Sequence, residues 1–140
     1  MNPSKSNQMA VKTFLTMVGV TYLGLAVWCA LQPVGTSQAI GFQIASGSGQ
    51  SEYLTVYGGL QFGLGLVFLW PLIRNEYVES ILHLCLVIHG SIVGFRTISF
   101  GMYQDVHSVT IYLAIGEWCL LILSVLAVKW YRRQQSGVVS

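Results

Sequence analysis

The chain has 140 residues, of which 54% are hydrophobic and only 9% are charged, and its formal net charge is +2. Roughly a quarter of the residues of an ordinary soluble domain are charged, so this composition excludes that class and predicts a single integral membrane domain over residues 1–140. The small net charge, with no basic cluster among aromatic residues, also excludes nucleic-acid binding. The lipid bilayer is therefore the first predicted partner.

Four apolar runs are long enough to cross a hydrocarbon core, which takes about 20 residues of helix. In chain order they cover approximately residues 11–31, 54–72, 78–98 and 108–130. The first run is longer than the apolar region of a signal peptide, so we expect a retained helix. A Gly- and Ser-rich stretch over 34–51 predicts a flexible outer loop, and the other connections are short. The pattern predicts an all-α integral membrane bundle of four transmembrane helices in up-down order.

The basic residues indicate the orientation of this bundle. Lysine and arginine flank the predicted helices at only one side of the membrane, at Lys5, Lys12, Arg74, Lys129, Arg132 and Arg133. Basic residues near helix ends remain on the cytoplasmic side. We therefore expect both termini to be cytoplasmic, in a multi-pass protein of the inner or plasma membrane.

The second run is rich in glycine at spacings that favour close helix packing. Gly59 and Gly63 form a GxxxG pair, and Gly58 and Gly65 lie seven residues apart. Small residues at such spacings allow two helices to approach closely in lipid. Three partners of this glycine face remain open: another helix of the same chain, a second copy in a homo-oligomer, or another membrane protein.

Arg96 is a charged residue near the end of the apolar third run, where a charge needs a partner. Glu117 lies near the middle of the fourth run, which is antiparallel to the third, so the two side chains lean toward each other. Glu52 lies at the depth of Arg96, and His89 is on the same helix stripe as Arg96. We expect one polar seam between the helices, formed by Glu52, Tyr57, Gln61, His89, Arg96 and Glu117.

Three interpretations of this seam remain open. A buried ion pair can simply fix the register of the helices. The same groups can form a functional polar pocket, because ionisable residues within membrane segments often belong to proton relays and ligand pathways. Alternatively, Arg96 can extend to the outer lipid headgroups without a partner.

The second run also resembles a known family. Glu52, followed by YGGLQFGLGL over 57–66, is similar to the signature of small four-span bacterial membrane proteins catalogued as domain of unknown function 4345. Arg96 late in the third helix and Glu117 in the fourth match charged positions of that family. The resemblance covers residues 12–130 and implies a four-helix membrane fold, but no chemistry.

Three functions are consistent with these patterns. The first is a non-enzymatic accessory bundle that binds a partner protein or lipid, with a structural seam. The second is a carrier or sensor in which the seam of Glu52, Arg96 and Glu117 binds a proton or a small polar ligand. The third is a membrane enzyme with Glu117 and His89 as acid and base. His83 and His89 are six residues apart and cannot share a metal from one helix face, and no nucleotide-binding or metalloprotease motif occurs, so no metal or cofactor is predicted.

Overall fold

The computed structural model describes the backbone of residues 5–136 and the side chains of residues 8–133. The remainder of the predicted domain, residues 1–4 and 137–140, and the side chain of Lys5 lie outside the described residues. Throughout 5–136 the regular elements are helices, without a strand. Four segments are long and apolar enough to cross a membrane, at Gln8–Leu31, Ser48–Leu72, Asn75–Met102 and Ser108–Arg133. The predicted all-helical chain with four such segments is therefore confirmed.

Helix α1 extends over Lys5–Leu31 and satisfies its own polar side chains. The hydroxyls of Thr13, Thr16 and Thr21 each donate to the backbone carbonyl four residues earlier, at 2.7–3.0 Å. Such local bonds matter in lipid, where no water is present to pair with a hydroxyl. The helix ends before Pro33, which cannot donate a backbone hydrogen bond and begins the short helix α2 instead.

The second segment is one continuous helix built from several parts. It begins with α3 at Ser48–Tyr53, passes through a π-helical stretch at Leu54–Leu60 and continues as α4 at Gln61–Leu69. The backbone keeps right-handed helical angles at both joints, so the direction of the chain is maintained. A 3₁₀ turn at Trp70–Leu72 ends the segment. The helix starts six residues earlier than the sequence predicts.

The third and fourth segments are also longer than predicted. Helix α5 covers Val78–Met102 after a 3₁₀ turn at Asn75–Tyr77, and helix α6 covers Ser108–Ser136. The short connection between α5 and α6 contains Asp105, whose φ of 59° lies in the left-handed region. Aspartate tolerates this conformation better than most residues, so the chain can reverse within a few residues.

The connection between α1 and α3 differs from the flexible outer loop predicted over 34–51. Its first part forms helix α2 at Pro33–Ala39, in which Thr36 and Ser37 are buried. The hydroxyl of Tyr53 donates to Thr36 Oγ1 at 3.0 Å and is itself buried. Composition alone indicated flexibility, but a proline at the helix start and a buried tyrosine attach this connection to the bundle.

The helices pack most extensively in two pairs, α1 with α4 and α5 with α6. Gly19 of α1 lies against Gly65, and Ala30 of α1 lies against Gly58. Positions later in α1 therefore meet positions earlier in the second segment. The buried core that joins the four segments is formed by Val11, Leu15, Val18, Tyr22, Phe68, Val78, Leu82, Cys85, Val128 and Tyr131.

Most of the apolar surface of the segments faces outward. No more than 28% of the most apolar window of any segment is buried within the chain. A water-soluble bundle of this size would bury its apolar residues and expose charged ones. The exposed surface is therefore suited to hydrocarbon surroundings.

Candidate functional site

The centre of the candidate site is an ion pair between α5 and α6. Arg96 Nε donates to Glu117 Oε2 at 2.9 Å, and Arg96 Nη2 donates to Glu117 Oε1 at 2.7 Å. The side chains retain 27% and 19% of their full exposure. Two parallel, charge-assisted bonds of this kind combine electrostatic attraction with a defined geometry. The predicted pairing of Arg96 with Glu117 is therefore confirmed.

His89 occupies the inner part of the site and is almost completely buried, with 1% exposure. Its Nδ1 lies 2.8 Å from the carbonyl oxygen of Cys85, which can only accept, so Nδ1 carries the proton in this bond. The ring stacks on Phe68 and meets Tyr22 edge to face, with ring centroids 6.2 Å and 6.0 Å away. The other nitrogen, Nε2, is buried and receives no hydrogen bond from the described residues. His89 therefore presents an unpaired acceptor inside the bundle.

Electrostatic contacts connect His89 to the ion pair. Glu117 lies within interaction range of both His89 and Tyr22, and Arg96 lies within range of Tyr57. These side chains come from α1, the second segment, α5 and α6. Side chains from all four segments therefore contribute to one polar region around the ion pair.

Aromatic rings surround Tyr57 at one end of this region. Tyr57 stacks on Tyr53 with a centroid distance of 4.6 Å and meets Phe42 edge to face at 5.9 Å. One turn further along the helix, the side-chain oxygen of Gln61 is buried without a hydrogen-bond donor from the described part of the chain. Tyr57 and Gln61 thus have the inward positions that the sequence predicts.

Glu52 does not join the seam, so its predicted membership of that polar group is wrong. Its side chain is exposed, and within residues 8–133 Arg96 forms its ion pair with Glu117 alone. The neighbouring residue, Tyr53, is buried with 4% exposure. Because successive residues of a helix point about 100° apart, burial of Tyr53 turns Glu52 outward.

The glycines of the second segment divide into two faces. A Cβ atom on Gly65 would lie 2.7 Å from Leu23 Cγ and 3.0 Å from the Gly19 carbonyl oxygen, and one on Gly58 would lie 3.2 Å from a Leu54 methyl. Both glycines are buried, and Gly65 permits the close approach of α1. Gly58 and Gly65 therefore have the predicted packing role.

Within the described part of the chain, no other helix covers the GxxxG pair closely. A Cβ atom on Gly59 or on Gly63 would meet nothing within 4 Å, and both residues are exposed. Of the partners that the sequence left open, close packing of Gly59 against another helix of the same chain is therefore wrong. The Gly59–Gly63 pair begins one residue after the Gly58–Gly65 pair, and successive residues point about 100° apart around a helix. The two pairs therefore lie on different faces, and α1 covers only the face of Gly58 and Gly65.

Sequence reasoning missed three residues that shape the site: Tyr22, Phe68 and Gly19. Tyr22 and Phe68 enclose the His89 ring, and Gly19 brings α1 close to Gly65. A tyrosine in the middle of an apolar run needs a polar neighbour in lipid, which would have been a signal for Tyr22. An isolated glycine such as Gly19 carries no comparable signal.

The fold and site define an all-helical bundle with an ion pair and an unpaired histidine nitrogen between its apolar helices. Among the described residues, no group of three His, Cys, Asp or Glu side chains is placed to hold a metal ion. In comparisons with known proteins, no family model, curated protein or solved structure matches the chain. Inferences about function therefore depend on the geometry of the site and the surface.

Proposed function

We propose that the chain is a multi-pass protein of the inner or plasma membrane, arranged as an up-down bundle with both termini in the cytoplasm. The four apolar segments support this proposal, as does the location of Arg74, Lys129, Arg132 and Arg133 beyond the segment ends. The resemblance to the four-span family of domain of unknown function 4345 is part of the same proposal. It depends on the glycine motif of the second segment and on Arg96 and Glu117.

Within this bundle we propose a non-enzymatic accessory role, in which the polar seam is structural. The observation that carries this proposal is the closed pair of Arg96 and Glu117. Both carboxylate oxygens of Glu117 are bonded to the guanidinium, so binding an external ligand there would first require the pair to open. A bundle fixed in this way presents its outer surface, rather than its centre, to a partner.

The surface that we propose for binding is the outward glycine face, defined by Gly59 and Gly63. Beside it runs a groove between α1 and the second segment, with a volume of about 320 Å³, lined in part by Ala30, Gly58 and Phe62. Exposed small residues next to a groove allow another helix to approach closely, which is the basis of helix association in lipid. A second copy of the chain is the partner that we propose.

Self-association in vesicles tests this role. Copies carrying donor and acceptor fluorophores at the C-terminus should show energy transfer above the level of random encounter in phosphatidylcholine vesicles. The paired change Gly59→Leu and Gly63→Leu should reduce the transfer, because leucine side chains would separate the helices. Gly24→Leu is the matched control, because Gly24 also has open space around its Cβ position but lies on α1. Transfer at the random level in the unchanged chain would contradict a homo-oligomer.

The unpaired nitrogen of His89 favours a second function, proton sensing at the seam. A buried acceptor without a donor is costly, about 1–3 kcal/mol, and a proton on Nε2 would be close to the negative charge of Glu117. Histidine is the side chain that ordinarily changes charge between about pH 5 and pH 8. The sensor would therefore use His89 and Glu117, without Glu52.

Nitrogen-15 NMR of the chain in lipid nanodiscs tests this second function. The changes His83→Asn and His107→Asn leave His89 as the only histidine of the sequence, so its ring signals can be assigned. We expect the Nε2 signal to change from an unprotonated to a protonated shift as the pH is lowered while the bundle remains folded. An Nε2 signal that stays unprotonated until the bundle unfolds would exclude proton sensing at this residue.

A further inference from the structure

A second groove lies between the first half of α1 and the second half of α6. Its volume is about 380 Å³, and its lining includes Ala10, Val11, Phe14, Leu123, Ala127 and Trp130. This volume is within the roughly 300–1,000 Å³ typical of small-molecule sites. Because the lining is apolar and no part of the polar seam contributes to it, the groove suits a hydrocarbon chain.

On α6, a basic residue follows the apolar residues that line this groove. Leu123, Ala127 and Trp130 lie on one face at spacings of four and three, and Arg133 follows Trp130 by another three. Residues with these spacings are neighbours on a helix surface. The guanidinium of Arg133 therefore lies just beyond the apolar lining of the groove, next to Trp130.

The surrounding charge has the sign that an anionic headgroup requires. The described basic residues at this end are Lys12, Arg74, Lys129, Arg132 and Arg133, against the acidic residues Glu76 and Glu79. At the opposite end the acidic residues are Glu52 and Asp105, and the basic side chain described there, Arg96, is bonded to Glu117. The groove beside Gly59 and Phe62 lies toward that opposite end. Of these two grooves of the described residues, it is the α1–α6 groove that combines an apolar lining with nearby basic residues.

We propose that the α1–α6 groove binds one acyl chain of an anionic phospholipid, whose headgroup phosphate is bound by Arg133 and Lys129. The indole of Trp130 lies at the boundary between headgroup and chain, where tryptophan is enriched in membrane proteins. Basic sites between helices on the cytoplasmic side are suited to anionic headgroups. This inference rests on the membrane location proposed above and adds a ligand class and a site to it.

Trp130 provides a local probe for this proposal. A variant with Trp28→Phe, Trp70→Phe and Trp118→Phe retains Trp130 as its only tryptophan, and a companion variant retains Trp28 alone. Both are placed in phosphatidylcholine vesicles that contain a fixed minor share of lipid with brominated chains, either phosphatidylglycerol or phosphatidylcholine. Bromine quenches tryptophan fluorescence at short range. The quenching by brominated phosphatidylglycerol divided by the quenching by brominated phosphatidylcholine therefore measures the relative association of the two lipids at each tryptophan.

We expect an association constant about fivefold higher for the brominated phosphatidylglycerol at Trp130, the effect of roughly one basic residue at an anionic surface. Trp28, at the opposite end of the bundle, where the described charges are mainly acidic, should show no preference. Adding Arg133→Gln and Lys129→Gln to the Trp130 variant should bring the ratio close to one, while quenching by either lipid persists.

Several results would overturn the proposal. Equal quenching by the two lipids at Trp130, or an equal anionic preference at Trp28, would mean that the groove holds ordinary bilayer lipid. Quenching at Trp130 that falls as the ratio of protein to lipid rises would place a second copy in the groove. No quenching of either tryptophan would show that the chain is not in the bilayer and would remove the membrane location as well.

Discussion

At the scale of single residues, the surroundings of an ion pair decide how much it contributes. Arg74 and Glu76 lie 3.7 Å apart and retain more than half of their exposure, whereas Arg96 and Glu117 share two short bonds and retain less than a third. Exposed pairs contribute about 0–1 kcal/mol, because water and salt screen them. The Arg96–Glu117 pair is screened far less, and loss of one partner strands the other charge among apolar helices.

We therefore predict unequal costs for removing these charges. Arg96→Leu should lower the free energy of unfolding by about 2–3 kcal/mol, somewhat below the 3–5 kcal/mol typical of a fully buried pair. The double change Arg96→Leu and Glu117→Leu should recover part of that loss, because no uncompensated charge remains. Chemical unfolding in detergent micelles measures each value.

Arg74→Leu is the matched control for this experiment, and its cost should be below about 1 kcal/mol. If the losses caused by the single changes Arg96→Leu and Glu117→Leu simply add in the double variant, then the two side chains do not interact in the folded bundle.

The pairing of Arg96 could be predicted from the sequence, whereas the position of Glu52 could not. A charge within an apolar run needs a partner at its own depth, and depth follows from the rise of 1.5 Å per residue. Glu52 lies at a helix end, where the direction of a side chain depends on which neighbour is buried. That neighbour, Tyr53, is held by a bond to Thr36 in a segment that composition alone predicts to be flexible.

At the scale of helices, α1 and the second segment show how small residues determine a packing distance. The missing side chains of Gly19 and Gly65 let the two backbones meet, and Leu23 fills the space beside them. Glycine spacing predicted that the second segment packs closely, but two faces had suitable spacing. The sequence does not indicate which face α1 covers, since that depends on the position of α1 around the second segment.

We predict opposite effects of the same substitution on these two faces. Gly65→Ala should destabilise the bundle, because its Cβ would lie 2.7 Å from Leu23 Cγ and 3.0 Å from the Gly19 carbonyl. Such overpacking typically costs about 1–3 kcal/mol. Gly59→Ala meets open space and should be neutral or stabilise the helix by up to about 1 kcal/mol, since alanine is the better helix former. Thermal unfolding of both variants in the same detergent makes the comparison, and equal destabilisation would mean that both faces are packed.

At the scale of the whole molecule, the arrangement of charge divides the bundle into two unlike ends. Basic side chains lie beside the 73–77 turn, in the first part of α1 and in the last part of α6. There Lys12 donates to the Asn75 side chain, and Arg132 donates to His83 Nε2 at 2.9 Å. These contacts connect α1 to the turn and α6 to α5. The same residues that favour a cytoplasmic location therefore also join the helix ends to one another.

The last prediction is that this basic end faces the cytoplasm. A reporter enzyme that is active only in the cytoplasm should be active when fused after Ser140 and inactive when inserted at Ser46 in the outer connection. A reporter active only outside should show the opposite pattern. Replacing Lys129, Arg132 and Arg133 by asparagine should produce a mixture of orientations, because these residues contribute to retention on the cytoplasmic side.

Since four segments return the chain to its starting side, both termini must share one location. A fusion after Ser140 that reads as external would therefore contradict the orientation, and opposite readings from the two termini would contradict the number of spans.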